Sequence, residues 1–213
     1  MKVFSWQQKK VWEDRGYSLL ELLVVLVIIG ILATQVVFML SSADSKAKGA
    51  AFNMRSDFNL ARAEAVNRNQ NVLVDFVFNS DTTYVDASGT RDGYRICLDD
   101  DVSGTCTGGD TNIKDVLFTE LVQFYDAAGV DGPTVDINGD PWVVGDGVTF
   151  TADNFQMQPN GTSNKAGTIY AYVPNGGDPT DMEAPPYAVI VGATTGRVRL
   201  LRWNLSSTAW TSK

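Results

Sequence analysis

Histidine is absent from the 213 residues, and cysteine occurs only twice, as Cys97 and Cys106. The lack of histidine removes the commonest general base and metal ligand of proteins. The two cysteines form no CxxC redox motif, and the chain has neither a phosphate-binding glycine loop nor a GxSxG turn. The sequence therefore presents no recognisable catalytic constellation and predicts a protein that is not an enzyme. A hydrolase built from two distant carboxylates is only a third hypothesis.

Proline is missing before Pro133, and long apolar runs are missing after Ser41. Before that point, Leu19 to Leu40 is apolar except for Glu21, Thr34 and Gln35. A helix needs roughly 20 apolar residues to span a bilayer. The sequence therefore predicts a transmembrane helix over 17–40, followed by a soluble domain.

The leader Met1 to Gly16 is net basic, with four lysine or arginine residues against two acidic ones. Positive flanks stay in the cytoplasm, so the domain after Ser41 is expected outside the cytoplasm. In that oxidising compartment a disulfide between Cys97 and Cys106 is favoured over two buried thiols.

The junction "RGYSLLELLVVLVIIGIL" reverses the order of an ordinary secretory signal, because the polar leader precedes a helix that is kept. This combination of charge, glycine, aromatic, hydroxyl residue, glutamate and unbroken apolar helix resembles the class III signal of type IV prepilins and type II secretion pseudopilins. The resemblance implies that a prepilin peptidase cuts after Gly16 and that Tyr17 becomes the methylated N-terminus.

Glu21 would then be the fifth residue of the mature chain. A paired charge costs far less in an apolar setting than a lone one. The resemblance implies that Glu21 meets the N-terminal amine of a neighbouring subunit and sets the register of a growing filament. The alternative is an interfacial carboxylate that favours the helix N-terminus through the dipole.

A second helical segment is predicted over 41–71, as an amphipathic continuation of the first. Small and apolar residues recur there at spacings of four and three, while lysine and arginine occupy other faces. The stripe consists of Ala47, Ala51, Met54, Phe58, Ala61 and Ala65. We expect it to lie on a sheet, with the helix ending at Asn69 to Asn71.

The remainder, 72–213, reads as short strands separated by turn residues. The predicted strands are "VLVDFVF", "GYRICLD", "DVLFTELVQFY", "GVTFTA", "NFQMQPNG", "TIYAYV", "YAVIVGATTG" and "RVRLLRW", the last two forming a hairpin. A helix on antiparallel sheet is an α+β fold. With "RSDFNLARAEAVNRNQNV", "GYRICLDDDVSGTC", "FQMQPNGTSN" and "TTGRVRL", the layout resembles the GspH/FimT group of minor pilins and pseudopilins, which implies a pilin fold.

An acidic loop, "DDDVSGTCTGGD", places Asp99, Asp101, Ser103 and Asp110 at positions one, three, five and twelve of an EF-hand-like arrangement. Oxygen ligands at such spacing suit calcium. The flanks read as strands, and position twelve is Asp instead of Glu. A solvated acidic turn is therefore favoured over a calcium site, and no other cofactor is expected.

The C-terminal "GRVR" carries the second functional hypothesis. Removal of the leader leaves 13 basic and 23 acidic residues, a net charge of −10 that opposes DNA binding. Arg197 and Arg199 nevertheless follow the last acid, Glu183, and share one strand face. The motif resembles the GRxR of FimT-like minor pilins implicated in DNA uptake, which implies DNA contact by both arginines. The alternative is the polar face of an amphipathic strand.

The sequence thus predicts a minor pilin or pseudopilin whose partners are other pilin subunits, prepilin peptidase and the inner membrane. A DNA-binding minor pilin is the alternative.

Overall fold

The computed structural model describes residues 19–40, 42–78, 85–86, 89–119, 122–125, 133, 135–140, 147–175 and 178–212. For 34–40, 85–86, 89–90 and 178–181 it describes the backbone alone. The chain divides into two compact units, Met1–Ser41 and Ser42–Lys213.

The first unit contains helix α1, Leu19–Leu40, with Glu21 in its first turn. Within this unit every described side chain, from Leu19 to Ala33, is exposed. Judged on length and apolarity together, no helix in the described part of the chain qualifies to cross a membrane.

The second unit opens with helix α2, Ala43–Arg68. Ser42 caps its N-terminus in an extended conformation, and its hydroxyl oxygen accepts the Ser45 N–H at 3.4 Å. Asn69 ends the helix in the left-handed conformation, which asparagine adopts more readily than most residues. All six residues of the predicted stripe are fully buried, so this expectation is confirmed.

Eleven strands are present among the described residues. In chain order they are β1 Val72–Val77, β2 Val85–Asp86, β3 Gly89–Thr90, β4 Gly93–Leu98, β5 Asn112–Leu117, β6 Gln123–Phe124, β7 Asn154–Met157, β8 Gly167–Asn175, β9 Asp178–Val191, β10 Val198–Asn204 and β11 Ala209–Ser212.

The strands form two antiparallel sheets and a small β2–β3 pair. The first sheet has the order β5-β4-β1-β7, and the second has the order β11-β10-β9-β8-β6. β9 and β10 form the predicted hairpin, with Val191 opposite Val198. The α+β fold class is therefore confirmed.

Two strand predictions were wrong. The stretch "DVLFTELVQFY" is not one strand, because β5 ends at Leu117 and β6 covers only Gln123–Phe124. The carbonyl oxygen of Asp92 accepts the Phe118 N–H, and its carboxylate accepts the Phe124 N–H. The stretch "GVTFTA" contributes only a bridge at Val148 before a 3₁₀ turn at Thr151–Asp153. Strands β2, β3 and β11 were not predicted.

Helix α2 and both sheets share one core. The ring of Phe58 meets Phe76, Tyr94 and Phe155 edge to face, with centroids 5.3–6.2 Å apart. A separate aromatic cluster around Tyr170 and Tyr172 lies on the other face of the second sheet, because successive strand residues alternate. One face of the second sheet therefore packs on α2.

Candidate functional site

The predicted processing residues, Gly16 and Tyr17, lie outside the described residues. Glu21 is exposed on α1 and has no hydrogen-bond partner among the described residues of its unit. Its pairing with a subunit amine therefore stays a prediction.

The disulfide loop folds over the first sheet. Cys97, on β4, is joined to Cys106 with their Cα atoms 5.9 Å apart. Asp75, in the middle of β1, accepts the Cys106 N–H at 2.7 Å through Oδ2. Burial raises the pKa of Asp75, although this hydrogen bond acts in the opposite direction. Asp75 thus ties the sheet to the loop.

The acidic loop brings three of its four predicted calcium ligands together. Carboxylate oxygens of Asp99, Asp101 and Asp110 lie within 4.8 Å of one another. The Ser103 hydroxyl donates to the Thr105 carbonyl at 2.8 Å and accepts the Thr105 N–H at 3.4 Å, so its hydrogen bonds stay within its own turn.

Hydrogen bonds from the loop and from β7 already reach these carboxylates. Asp110 accepts the N–H groups of Asp100 at 2.9 Å and Thr107 at 2.8 Å, one on each oxygen. Asp99, which is buried, accepts the Gln156 side-chain amide at 2.7 Å. A cation would compete with these donors, so the geometry favours an acidic turn closed by its own hydrogen bonds. The calcium site remains a prediction.

Two exposed carboxylates of the loop are held in their ionised form. Hydrogen bonds from Thr111 and Gln70 lower the pKa of Asp100. Hydrogen bonds from Ser103 and Thr107 lower the pKa of Asp101. Hydrogen bonding to a carboxylate stabilises its charge. The exposed carboxylates of Asp100 and Asp101 therefore carry negative charge at neutral pH.

The tip of the loop is apolar and strained. Val102 is 81% exposed and has a φ of +58°. A β-branched residue rarely adopts positive φ, because its Cβ substituents crowd the backbone. Sequence reasoning did not single out Val102, because the pattern of residue types does not reveal φ.

The GRVR motif alternates between surface and core. Arg197 and Arg199 are exposed, whereas Val198 and Leu200 are buried. Neither arginine side chain has an acidic partner among the described residues. This alternation is what the polar face of an amphipathic strand requires, and it also leaves both guanidinium groups open to solvent.

Gly196 of the same motif has a packing role. Its φ is +55°, and a Cβ there would lie 2.3 Å from the Gly161 carbonyl oxygen. That oxygen accepts the Arg62 Nε–H at 2.8 Å, which ties both turns to α2. The glycine is therefore required by close approach, independently of any ligand.

The sequence did not reveal a buried polar group on α2. Asp57, in the buried face of the helix, accepts hydrogen bonds from Tyr94 Oη and Lys114 Nζ, both at 2.7 Å. The sequence signal that could have indicated its burial is the position of this acidic residue, directly before Phe58 in a stripe of small and apolar residues. Burial and the Asp57 charge raise the pKa of Tyr94.

A groove of about 260 Å³ runs between the N-terminal half of α2 and the edge strand β5. Its helix side carries Lys46, Gly49 and Asn53, and its floor includes Tyr94 and Phe118. A Cβ placed on Gly49 would meet nothing within 4 Å, so the groove is open above the helix.

Comparison with known proteins gives two family matches. The family model described as "Type II transport protein GspH" matches residues 50–196. The model described as "Prokaryotic N-terminal methylation motif" matches residues 14–34. No curated protein matches the sequence. Among solved structures, the minor pseudopilin EpsH from the type 2 secretion system of Vibrio cholerae is similar at a TM-score of 0.40 and 15% identity, over 74% of this chain and 97% of that one.

Proposed function

The chain belongs to the Type II transport protein GspH family, and from this premise we propose that it is a minor pilin or pseudopilin. In this role it is a structural, non-enzymatic subunit of a type II secretion pseudopilus or a type IV pilus. The observation that carries the proposal is the presence, on one chain, of the N-terminal methylation motif over 14–34 and the GspH match over 50–196.

Assembly begins with processing. Prepilin peptidase removes Met1 to Gly16 and methylates Tyr17, and α1 holds the subunit at the inner membrane with its second unit in the periplasm. The exposed apolar side chains of α1 support this membrane-anchored role, because so large an apolar surface must be buried in lipid or against other helices. On assembly α1 leaves the lipid and packs against neighbouring subunits, and Glu21 pairs with the N-terminal amine of one of them.

The DNA-binding alternative rests on one observation, the exposure of Arg197 and Arg199 without acidic partners among the described residues. Two exposed guanidinium groups are suited to contact phosphates. Two arginines are few for a nucleic-acid site on an acidic domain, so DNA binding is the second candidate function.

A deletion strain tests the structural role. Complementation with the full-length tagged chain should restore type II secretion or piliation, and the tag should appear in the sheared filament fraction. A strain whose secretion and piliation are both unaffected by the deletion, with the tag confined to membranes, would contradict the proposal.

A further inference from the structure

The segment between β7 and β8 places an amine against a side-chain amide. Lys165, in this segment, donates its ammonium group to the Thr151 carbonyl, to the Asn154 carbonyl at 3.0 Å and to the Asn154 side-chain oxygen Oδ1 at 2.6 Å. Oδ1 is bonded to Cγ, so this last contact holds the Lys165 nitrogen beside the carbon that a nucleophile attacks. Asn154 is buried, whereas Lys165 is half-buried.

Asp75 adds a carboxyl group to this pair. It lies directly opposite Asn154 in the pairing of β1 with β7, so the two side chains share one face of the first sheet. Hydrogen bonding from the Asn154 side chain and the charge of Lys165 both act on the Asp75 carboxylate. Its Oδ2 is fixed by the Cys106 N–H at 2.7 Å. An amine, an amide and a carboxyl group therefore share one site.

The disulfide loop covers this site. The Asn154 Nδ2 donates to the Gly104 carbonyl of the loop at 3.3 Å, and Cys106 of the same loop binds Asp75. Burial raises the pKa of Asp75. A carboxyl group whose pKa is raised towards neutral pH is better suited to accept a proton and to return it during a reaction.

We propose that Lys165 and Asn154 form an isopeptide bond within the folded chain, and that Asp75 relays the proton between the two nitrogens. The reaction happens once on the chain's own side chains, so it is a self-modification and not enzymatic turnover. It takes place within one subunit and is independent of the proposed filament function.

The reaction is balanced without a co-reactant. The Lys165 ammonium first loses a proton to water, which its partial exposure allows, and the neutral Nζ attacks Cγ of Asn154. Asp75 takes a second proton from Nζ and passes it to Nδ2. The Cγ–Nδ2 bond breaks as the carbonyl forms again, and Nδ2 leaves as ammonia, which takes up the first proton. One ammonium ion is released, nothing is oxidised or reduced, and Asp75 returns to its initial state.

The bond closes a ring over 154–165, and this ring contains two contacts with distant parts of the second unit. The Gly161 carbonyl accepts the Arg62 Nε–H of α2 at 2.8 Å. The Ser163 N–H donates to the Ala193 carbonyl, between β9 and β10, at 2.9 Å. A covalent ring therefore fixes the segment that ties α2 to the β9–β10 turn.

Tryptic digestion of the full-length chain, purified from membranes in detergent and then denatured, tests the bond by mass. Trypsin cuts after lysine and arginine, and Lys165 is the one such residue between Lys114 and Arg197. The bond blocks cleavage at Lys165. We expect a peptide spanning 115–197 that is lighter by one ammonia than its sequence requires, and fragmentation should place the link between Asn154 and Lys165.

A control is needed because asparagine followed by glycine can also lose ammonia, by cyclising onto its own backbone. Asn160, followed by Gly161, lies within the ring. That cyclisation leaves Lys165 open to trypsin, so blocked cleavage together with ammonia loss identifies the isopeptide bond. The matched variant Asn160→Ala should keep both signals.

Three variants test the roles of the site residues. Lys165→Arg and Asn154→Ala should each restore cleavage after position 165 and remove the associated loss of ammonia. Asp75→Asn keeps a polar side chain but cannot relay a proton, so it should slow bond formation by about 100-fold or more. The uncleaved fraction at matched times after synthesis measures this effect. A cross-link also constrains the unfolded chain, so the stabilities of Asp75 variants are compared on a Lys165→Arg background.

The outcomes decide each part of the inference. Complete cleavage after Lys165 in the parent would overturn the bond and leave Lys165 as a hydrogen-bonded clamp. Blocked cleavage that persists in Asn154→Ala would overturn the assignment of the acceptor. Bond formation in Asp75→Asn at the parent's rate would overturn the relay. None of these results depends on whether the chain enters filaments.

Discussion

Lys114 Nζ lies 2.7 Å from both carboxylate oxygens of Asp57. Asp57 is on the buried face of α2, with 8% of its side chain exposed, whereas Lys114 is on the edge strand β5 and is 42% exposed. The pair therefore joins the helix to the outer edge of the first sheet.

We expect Lys114→Met to destabilise the second unit by about 1–3 kcal/mol, because it leaves the buried Asp57 carboxylate with Tyr94 as its one remaining partner among the described residues. Partial exposure of Lys114 keeps the loss below that of a fully buried pair. Urea denaturation followed by tryptophan fluorescence measures the change. Asp57→Asn combined with Lys114→Met should recover much of the loss, because no unpaired charge remains. A double variant less stable than the single one would contradict the pairing.

Substitutions of Asp75 test the hydrogen bond that joins β1 to the disulfide loop. Asp75→Ala should cost about 1–3 kcal/mol, because the Cys106 N–H loses its acceptor. Asp75→Asn keeps an acceptor and removes a charge that burial disfavours, so at neutral pH it should be as stable as the parent or more stable. Denaturation midpoints of the three proteins decide between these outcomes.

The pH dependence of Asp75→Asn follows from the raised pKa of Asp75. The folded parent binds this proton more tightly than the unfolded chain does, so ionisation of Asp75 costs stability at neutral pH. That cost disappears as pH falls through the raised pKa. The advantage of Asp75→Asn should therefore shrink on acidification. Asp100 and Asp101 act in the opposite direction, since their lowered pKa values provide stability that is lost in acid. An advantage that grows in acid would contradict the assignment.

Processing is expected between Gly16 and Tyr17. Co-expression with a prepilin peptidase should remove Met1 to Gly16 and leave a methylated Tyr17, because the junction matches the prepilin order. Intact mass and N-terminal peptide analysis of the purified chain measure both changes. An N-terminus after Leu40 would identify an ordinary cleaved signal and remove the basis of the filament role.

Glu21→Ala should separate membrane insertion from assembly. The substitution makes the apolar run more continuous, so insertion should be retained, whereas the amine of a neighbouring subunit loses its partner and incorporation should fall. Immunoblots of membrane and sheared fractions, in a strain without the parent gene, measure the two separately. Glu64→Ala is the matched control, because among the described residues Glu64 pairs with Arg68 alone, in the next turn of its own helix. Normal incorporation of Glu21→Ala would refute the pairing.

Arg197 and Arg199 provide the test of the DNA hypothesis. If both contact phosphates, the full-length chain clustered on beads should bind duplex DNA weakly, with log affinity falling as log salt rises. Replacing both with Gln should reduce the slope by about two phosphate contacts, at roughly 0.9 per contact. Arg55→Gln with Arg68→Gln makes the same change in charge and should leave binding unaltered. No binding at low salt, or equal binding by the Arg197 and Arg199 variant, would exclude DNA uptake through this motif.

The hydrophobic pattern predicted much of the second unit because periodicity is a local property. The α2 stripe from Ala47 to Ala65 and the β9–β10 hairpin follow from residue spacing and turn residues alone. The failed strands near Phe118 and Val148 have a different cause. Their ends are set by a partner distant in the chain, Asp92 for the first and Ile169 for the second.

The sequence by itself determined the class III processing signal, the family and the α+β class, because these depend on residue order and periodicity along the chain. The tertiary structure alone decided that Asp57 meets Lys114, that Asp75 holds the disulfide loop, and that Val102 stands exposed at positive φ. These relationships join residues far apart in sequence or depend on backbone angles. Local patterns do not encode them, because they arise only in the folded second unit.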